Sequence, residues 1–260
     1  MSRKLETKNC LVTMINPYSL EGKTVLVTGA SSGIGKGIAI ECSKIGAKVV
    51  VTGRNEERLQ QTYDLLEGEG HQMVIADLDK QEDIDNLVAT IPALDGLVLN
   101  AGMVIKSPVK FVTQEKLDKI FQTNVYAPML LTQGLLKKKK LNKGGSIVIM
   151  SSISVNYATM ANVLYASTKG ALNSFMRVLA MEVAPMKVRV NCIQPSIILG
   201  TAIFGANPMH DELFEWGSTC PLGRNGQPED IAYATIYFLS DASTWVTGNA
   251  FTIDGGITLR

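Results

Sequence analysis

Histidine is almost missing from this 260-residue chain, which carries only His71 and His210. A histidine-based nucleophilic triad or a histidine-rich metal centre is therefore not expected. Cys10, Cys42, Cys192 and Cys220 are scattered, with no CxxC spacing. They read as reduced thiols rather than a disulfide framework. No apolar run approaches the ~20 residues that a bilayer crossing demands. The N-terminus shows no hydrophobic signal segment, since Thr13 and Asn16 interrupt its longest apolar stretch. An excess of one charge is also lacking: 25 Lys and Arg against 24 Asp and Glu leave a formal net charge of +1, which gives no hint of a nucleic-acid partner. The one basic run, Lys137 to Lys140, reads as a solvated helix end that complements the dipole. What remains is a cytoplasmic globular protein without a membrane or nucleic-acid partner. At 46% hydrophobic and 19% charged residues, it suits a single open α/β domain over 1–260.

Strand-like and helix-like stretches alternate along that domain. Val25–Val27, Lys48–Thr52, Gln72–Ala76, Gly96–Leu99, Ser146–Met150, Val188–Cys192 and Phe251–Ile253 read as buried strands rich in Val, Ile and Leu. Helical patterns lie between them, such as Glu56 to Leu66, with Asn55 as its cap, and Gln81 to Ala89. The alternation predicts a doubly wound α/β (Rossmann) fold, a seven-stranded parallel sheet with helices on both faces. Residues 1–16 precede the first element as an N-terminal extension, and Met14 is an alternative start.

Two stretches carry chemistry. In KTVLVTGASSGIGKGIAI an apolar strand runs into a turn with Gly29, Gly33 and Gly35, then into a helix. Glycines there allow a tight turn and let backbone N–H groups approach a pyrophosphate at the helix N-terminus. In VLYASTKGAL, Tyr165 and Lys169 stand four residues apart, with Ser152 thirteen residues before the tyrosine. On a helix, that spacing puts phenol and ammonium on one face. A cation there would favour the phenolate and turn a phenol, normally titrating near pH ~10, into a usable acid/base. Taken alone, either stretch is also compatible with an ordinary turn or an amphipathic helix.

A third signal comes from chain geometry. Gln114 to about Leu136 reads as helical, yet Pro128 lies inside it. Proline lacks an N–H and crowds the carbonyl four residues back, so the main-chain carbonyl of Asn124 is freed.

In combination, the chain resembles the short-chain dehydrogenase/reductase family over about residues 20–260. The marks are TGASSGIG at Thr28 to Gly35, DL at Asp77–Leu78, NAG at Asn100 to Gly102, Asn124, Ser152, Tyr165, Lys169, Pro195 and the ending GNAFTIDGG. The acyl-carrier-protein reductases are the members it is most similar to. The resemblance implies strand order 3-2-1-4-5-6-7 and a homotetramer formed through the helices around Asn124 and Tyr165 and the C-terminal strand. It implies that Gly29, Ser31, Ser32, Gly33, Ile34 and Gly35 cradle a dinucleotide. Asp77 and Leu78 would lie near the adenine, and Asn100, Ala101 and Gly102 near its ribose. Tyr165 would be the acid/base and Ser152 would orient the carbonyl. Lys169 would hold the nicotinamide ribose and depress the tyrosine pKa, and Asn124 would anchor a water that relays protons.

The second strand ends VVVTGR, with Gly53 where an acid would hold ribose hydroxyls and Arg54 beyond it. An arginine there pairs with a 2′-phosphate, so NADP(H) is expected over NAD(H), although Ser32 brings no second basic group. After Pro195 the chain departs from the family's pattern: Ser196 replaces glycine, Gly200 replaces threonine, and Thr201 comes one residue late. Nicotinamide contacts then fall to the backbone of Ile198, or to Thr201 if the loop bulges. Substrate choice is expected in the loop of about 197–221, where Ile203, Phe204, Met209, Phe214 and Trp216 stand beside Asp211, Glu212 and Glu215. Such a lining suits a medium-sized, partly hydrophobic carbonyl compound. The leading expectation is an NADPH-dependent 3-oxoacyl-thioester reductase, for which an acyl-carrier-protein partner would want a basic entrance. Sugar, polyol and hydroxysteroid dehydrogenases are alternatives. A dinucleotide-sensing binding protein without turnover is the rival of another class.

Overall fold

The computed structural model describes residues 16–201 and 216–259. The expectations for the extension before residue 16, and for Ile203, Phe204, Met209, Asp211, Glu212, Phe214 and Glu215, lie outside the described residues. Seven strands form one sheet: β1 (Thr24–Thr28), β2 (Lys48–Gly53), β3 (Gln72–Ile75), β4 (Leu94–Leu99), β5 (Leu141–Met150), β6 (Arg189–Pro195) and β7 (Ala250–Ile253). All pairs are parallel, in the order β3-β2-β1-β4-β5-β6-β7. The helices are α1 (Gly33–Lys44), α2 (Glu56–Tyr63), α3 (Gln81–Thr90), α4 (Gln114–Phe121), α5 (Ala127–Lys137), α6 (Val163–Val183) and α7 (Pro228–Leu239).

Side-chain alternation in the strands builds two cores. Leu26 and Val50 face Ile84, Leu87, Leu131, Leu172 and Met176 from α3, α5 and α6. Val25, Val27, Val49 and Val51 face Ile38, Cys42, Ile231 and Phe238 from α1 and α7. A strand buried on both faces has no polar positions to spare, which is why these read as continuous apolar runs. The order reverses between β1 and β4, and the crevice at their carboxyl ends is where ligands of open α/β sheets bind.

Local chemistry sets the element ends. Asn55 caps α2 as expected, its Oδ1 accepting from the Arg58 N–H at 2.9 Å. That helix stops at Tyr63 rather than Leu66. The stretch from Gln114 is not one kinked helix: a π-type turn, Gln122–Tyr126, separates α4 from α5, with the Ala127 N–H reaching Gln122 O. It falls where Pro128 removes a donor, so the chain widens by one residue per turn instead of bending. The basic run is only partly solvated. Lys137 to Lys139 are exposed, but the Lys140 ammonium donates to Ile91 O and caps the end of α3. No helix among the described residues is long and apolar enough to cross a membrane.

Candidate active site

The glycine loop is held from beneath by Thr28, the last residue of β1. Its Oγ1 donates to Val98 O at 3.1 Å and accepts from the N–H groups of Asn100 and Ala101 at 2.9 and 3.1 Å. The side chain of Asn100 donates to the carbonyls of Thr28 and Gly29. It therefore pins the loop itself. Thr28 went unrecognised as a site residue; a threonine closing a buried strand before glycine was the available signal.

A dinucleotide needs the backbone to come close, and the loop is built for that. A Cβ on Gly35 would lie 2.3 Å from Gly29 O and 2.5 Å from Asn100 Nδ2, and one on Gly29 would lie 2.9 Å from the Ala101 Cα. Gly29 and Gly33 also sit at φ +64° and +54°, where side chains are strained. Ser32 stands before α1 without capping it through its side chain, so the first-turn N–H groups keep their capacity for an anion. Ser31 Oγ lies 3.3 Å from where a Gly53 Cβ would be. Arg54 next to it is exposed. Ile34 packs against the second core. These residues fit a dinucleotide phosphate. Asp77 follows β3, its Oδ1 accepting from the Asp79 N–H, and Leu78 packs on the first core.

Across the crevice, β5 ends at Met150 and passes into Ser152, whose hydroxyl accepts from the Ser154 N–H at 3.1 Å. Helix α6 brings Tyr165 and Lys169 over this end. Tyr165 keeps part of its surface open, yet burial around its hydroxyl pushes the pKa up to about 12, against a smaller lowering from its hydrogen bond with Ser152. Lys169 is buried; its ammonium donates to Met150 O at 2.7 Å and lies 5.4 Å from the centroid of the Tyr165 ring. Desolvation lowers its pKa to about 8, partly offset by Cys192. The ammonium lies over the face of the tyrosine ring, and burial is the largest influence on the phenol. Ser151, one residue before Ser152, turns away and donates to Lys169 O.

Asn124 is buried between these two halves. Its Oδ1 accepts from the Met103 N–H at 2.8 Å, and its Nδ2 donates to Met103 O at 2.9 Å and Thr168 Oγ1 at 3.1 Å. Thr168 in turn donates to Tyr165 O at 2.7 Å. A Cβ on Gly102 would lie 3.3 Å from Asn124 Oδ1 and 3.7 Å from Lys169 Nζ, so the loop after β4 meets the lysine end directly. Thr168 was missed as a site residue, and its place one helical turn after Tyr165 was the signal.

Pro195 is the last residue of β6. A turn at Leu199–Gly200 follows it. Gly200 adopts φ +69°, Thr201 Oγ1 donates to Ile198 O at 2.9 Å, and Thr201 lies 3.1 Å from where a Gly33 Cβ would be. Thr201 thus reaches the glycine loop, whereas the backbone at 197–199 is engaged with Gly226. Ser196 accepts from Trp216 Nε1 at 3.4 Å. Trp216 stands edge-on to Tyr157 with ring centroids 6.2 Å apart.

A family of sequences described as enoyl-(acyl carrier protein) reductase matches residues 29–258. Among curated proteins, an uncharacterized oxidoreductase of Methylorubrum extorquens is 35% identical, over 92% of this chain and 98% of its own. A 3-oxoacyl-[acyl-carrier-protein] reductase of Rickettsia felis is 32% identical with the same coverage. A hydroxynaphthalene reductase-like protein of Metarhizium majus is 34% identical over 92% of this chain and 96% of its own. Among solved structures, a short-chain type dehydrogenase/reductase from Mycobacterium marinum superimposes with a TM-score of 0.84 at 30% identity, covering 94% of this chain and 98% of that one.

Proposed function

The chain belongs to the short-chain dehydrogenase/reductase family and is an NAD(P)-dependent oxidoreductase, and from that premise we propose that it reduces the ketone of a 3-oxoacyl thioester with NADPH. The observation that carries this reading is the enclosed Ser152–Tyr165–Lys169 group facing a glycine loop that only backbone can approach. When bound there, the cofactor would supply the hydride that the carbonyl carbon needs. Tyr165 donates its phenolic proton to the carbonyl oxygen while Ser152 orients that oxygen. Lys169, charged at neutral pH, would hold the nicotinamide ribose, and Asn124 anchors the water that relays protons between the lysine and solvent. Gly29, Ser31, Ser32, Gly33, Ile34 and Gly35 line the pyrophosphate. Asp77 and Leu78 bound the adenine, and Asn100, Ala101 and Gly102 bound its ribose. Pro195, Ile198 and Thr201 border the nicotinamide. The whole chain acts as one domain in the cytoplasm. Exposed Tyr126, Leu130, Val178 and Met181 on one side, and Trp245 and Phe251 on another, suit a homotetramer that light scattering would read. The thioester is drawn from the similarity to acyl-carrier-protein reductases. The test is NADPH oxidation with a short 3-oxoacyl thioester, run beside NADH; binding without turnover would overturn the thioester and leave the reductase.

A second reading follows from the hydroxynaphthalene reductase-like relative and the edge-on Tyr157–Trp216 pair, which would flank a planar bicyclic ketone. A bicyclic aromatic ketone assayed alongside separates the two.

Arg54 sets the cofactor in this reading. It forms no hydrogen bond or ion pair among the described residues, and no carboxylate stands at Gly53. Arg54→Glu is expected to lower kcat/KM for NADPH by about 100-fold, since a charge-assisted pair is replaced by repulsion, while NADH use changes little. Equal loss with both cofactors would show that Arg54 merely supports the fold.

The pKa shifts also give a direction to the pH profile. Reduction needs both groups protonated. With the phenol at about 12 and the ammonium at about 8, its rate should stay flat below about pH 8 and fall above it. Alcohol oxidation runs the same step backwards from the form with one proton fewer, so it should rise roughly tenfold per pH unit below about pH 8 and level off above it. Steady-state kcat profiles in the two directions decide this; parallel profiles would contradict it.

A further inference from the structure

We propose that Asp79 and Thr123 act as a clamp that positions Asn124, tying the adenine wall of the crevice to its proton-handling end. This rests on the reading of the cofactor site and of Asn124 given above. A π-type turn is rare and persists where its surroundings hold it, so what grips Gln122–Tyr126 is informative. Gln122 Nε2 donates to Asp79 O at 3.2 Å, and Thr123 Oγ1 donates to Asp79 Oδ2 at 3.0 Å, with Lys119 O its alternative at 3.3 Å. Two successive residues of the turn thus reach one residue of the loop after β3. That loop is itself stiff, since Asp77 accepts from the N–H groups of both Asp79 and Lys80.

Asp79 is an expensive choice for filling space. Its Oδ1 is buried without a partner among the described residues, and an unpaired buried oxygen costs stability. An asparagine or serine could accept from Thr123 without burying a carboxylate. A strong charge-assisted acceptor for Thr123 is what the carboxylate adds. On its other side the turn presents Asn124, which holds Met103 by both backbone groups and reaches Tyr165 through Thr168. Direct hydrogen bonds therefore run from Asp77 and Asp79 through Thr123 and Gln122 to the turn, and from Asn124 to Met103 and α6. Neither Asp79 nor Thr123 approaches Tyr165 itself, so both are positioning residues.

Amide hydrogen exchange on the full chain reads the clamp directly. Thr123→Val keeps the shape and removes the donor. Exchange at the Met103 amide and across 122–126 should accelerate about tenfold, the net contribution of one hydrogen bond, and Thr123→Ser should restore it. Asn124→Ala shows that the readout responds, because it removes the acceptor of the Met103 N–H. Adenosine 2′,5′-bisphosphate, which carries only the adenosine end, should slow exchange both at 29–35 and at Met103. In Thr123→Val the first slowing should persist and the second vanish. Wild-type exchange at Met103 in Thr123→Val, beside accelerated exchange in Asn124→Ala, would overturn the clamp. Slowing at Met103 that survives Thr123→Val would overturn the link between the two ends. A nucleotide that leaves 29–35 unchanged would sink the cofactor reading, and the exchange rates of the free protein would still decide the clamp.

Discussion

Tyr165→Phe is expected to lower kcat for ketone reduction by about 10³-fold, within the range a positioned general acid contributes. The substitution deletes one oxygen and keeps the ring that lies over the Lys169 ammonium, so the fold and NADPH binding should be nearly unchanged. Removing a hydroxyl whose pKa stands at about 12 takes away the proton source beside Ser152 without removing a charge. Rapid-mixing measurement of NADPH oxidation, with binding followed separately by cofactor fluorescence, separates the two effects. A variant that binds NADPH normally and still turns over within tenfold of wild type would remove Tyr165 from the proton step.

The second large effect belongs to Gly35→Ala. A methyl group there would lie 2.3 Å from Gly29 O, a backbone atom that cannot swing aside, and 2.5 Å from the Asn100 amide. Helix propensity alone would favour alanine by about 0.5–1 kcal/mol, but overpacking costs about 1–3 kcal/mol and should win. Relief requires the glycine loop to move off Asn100, which misplaces the N–H groups that would meet the pyrophosphate. The expected outcome is a Tm lowered by several degrees and NADPH affinity weakened about 100-fold, measured by thermal melting and calorimetry. Gly170→Ala in α6 is the comparison: nothing lies within 4 Å of its Cβ position, and it should melt no lower than wild type. If both variants bind NADPH normally, close backbone approach is not what the loop provides.

Much of this architecture was legible because buried parallel strands leave a continuous apolar trace. Val25–Val27 and Lys48–Thr52 appear almost to the residue. The early part of β5 did not, since Asn142, Lys143 and Gly144 are polar or flexible and partly exposed, and they lie in the irregular stretch between the Leu94–Leu141 and Gly96–Ser146 pairs. The spacing of Ser152, Tyr165 and Lys169 was visible, but the partner of the ammonium was not. Met150 lies nineteen residues away on another element, and that contact is set by how α6 docks. Pro128 announced a disturbance at Asn124 without saying that a π turn would absorb it. Arg189 was missed outright. Its guanidinium is buried and donates to Phe238 O, Ser240 O and Ser243 O, anchoring the end of α7. A charged residue at the start of a buried strand needs such a partner, and that demand was readable.

The way Asn124 meets Met103 has a consequence for which residues can stand there. Giving to the Met103 carbonyl and taking from its N–H, the side-chain amide imitates a peptide group of a neighbouring strand. It adds a counterfeit rung four residues past the end of β4. Aspartate could answer only the N–H and would repel the carbonyl, and glutamine would overshoot by a methylene. Leucine, similar in size, would leave both backbone groups buried and unanswered. The chain after β4 is therefore gripped through its own backbone by a side chain, in the way a strand is gripped by its neighbour.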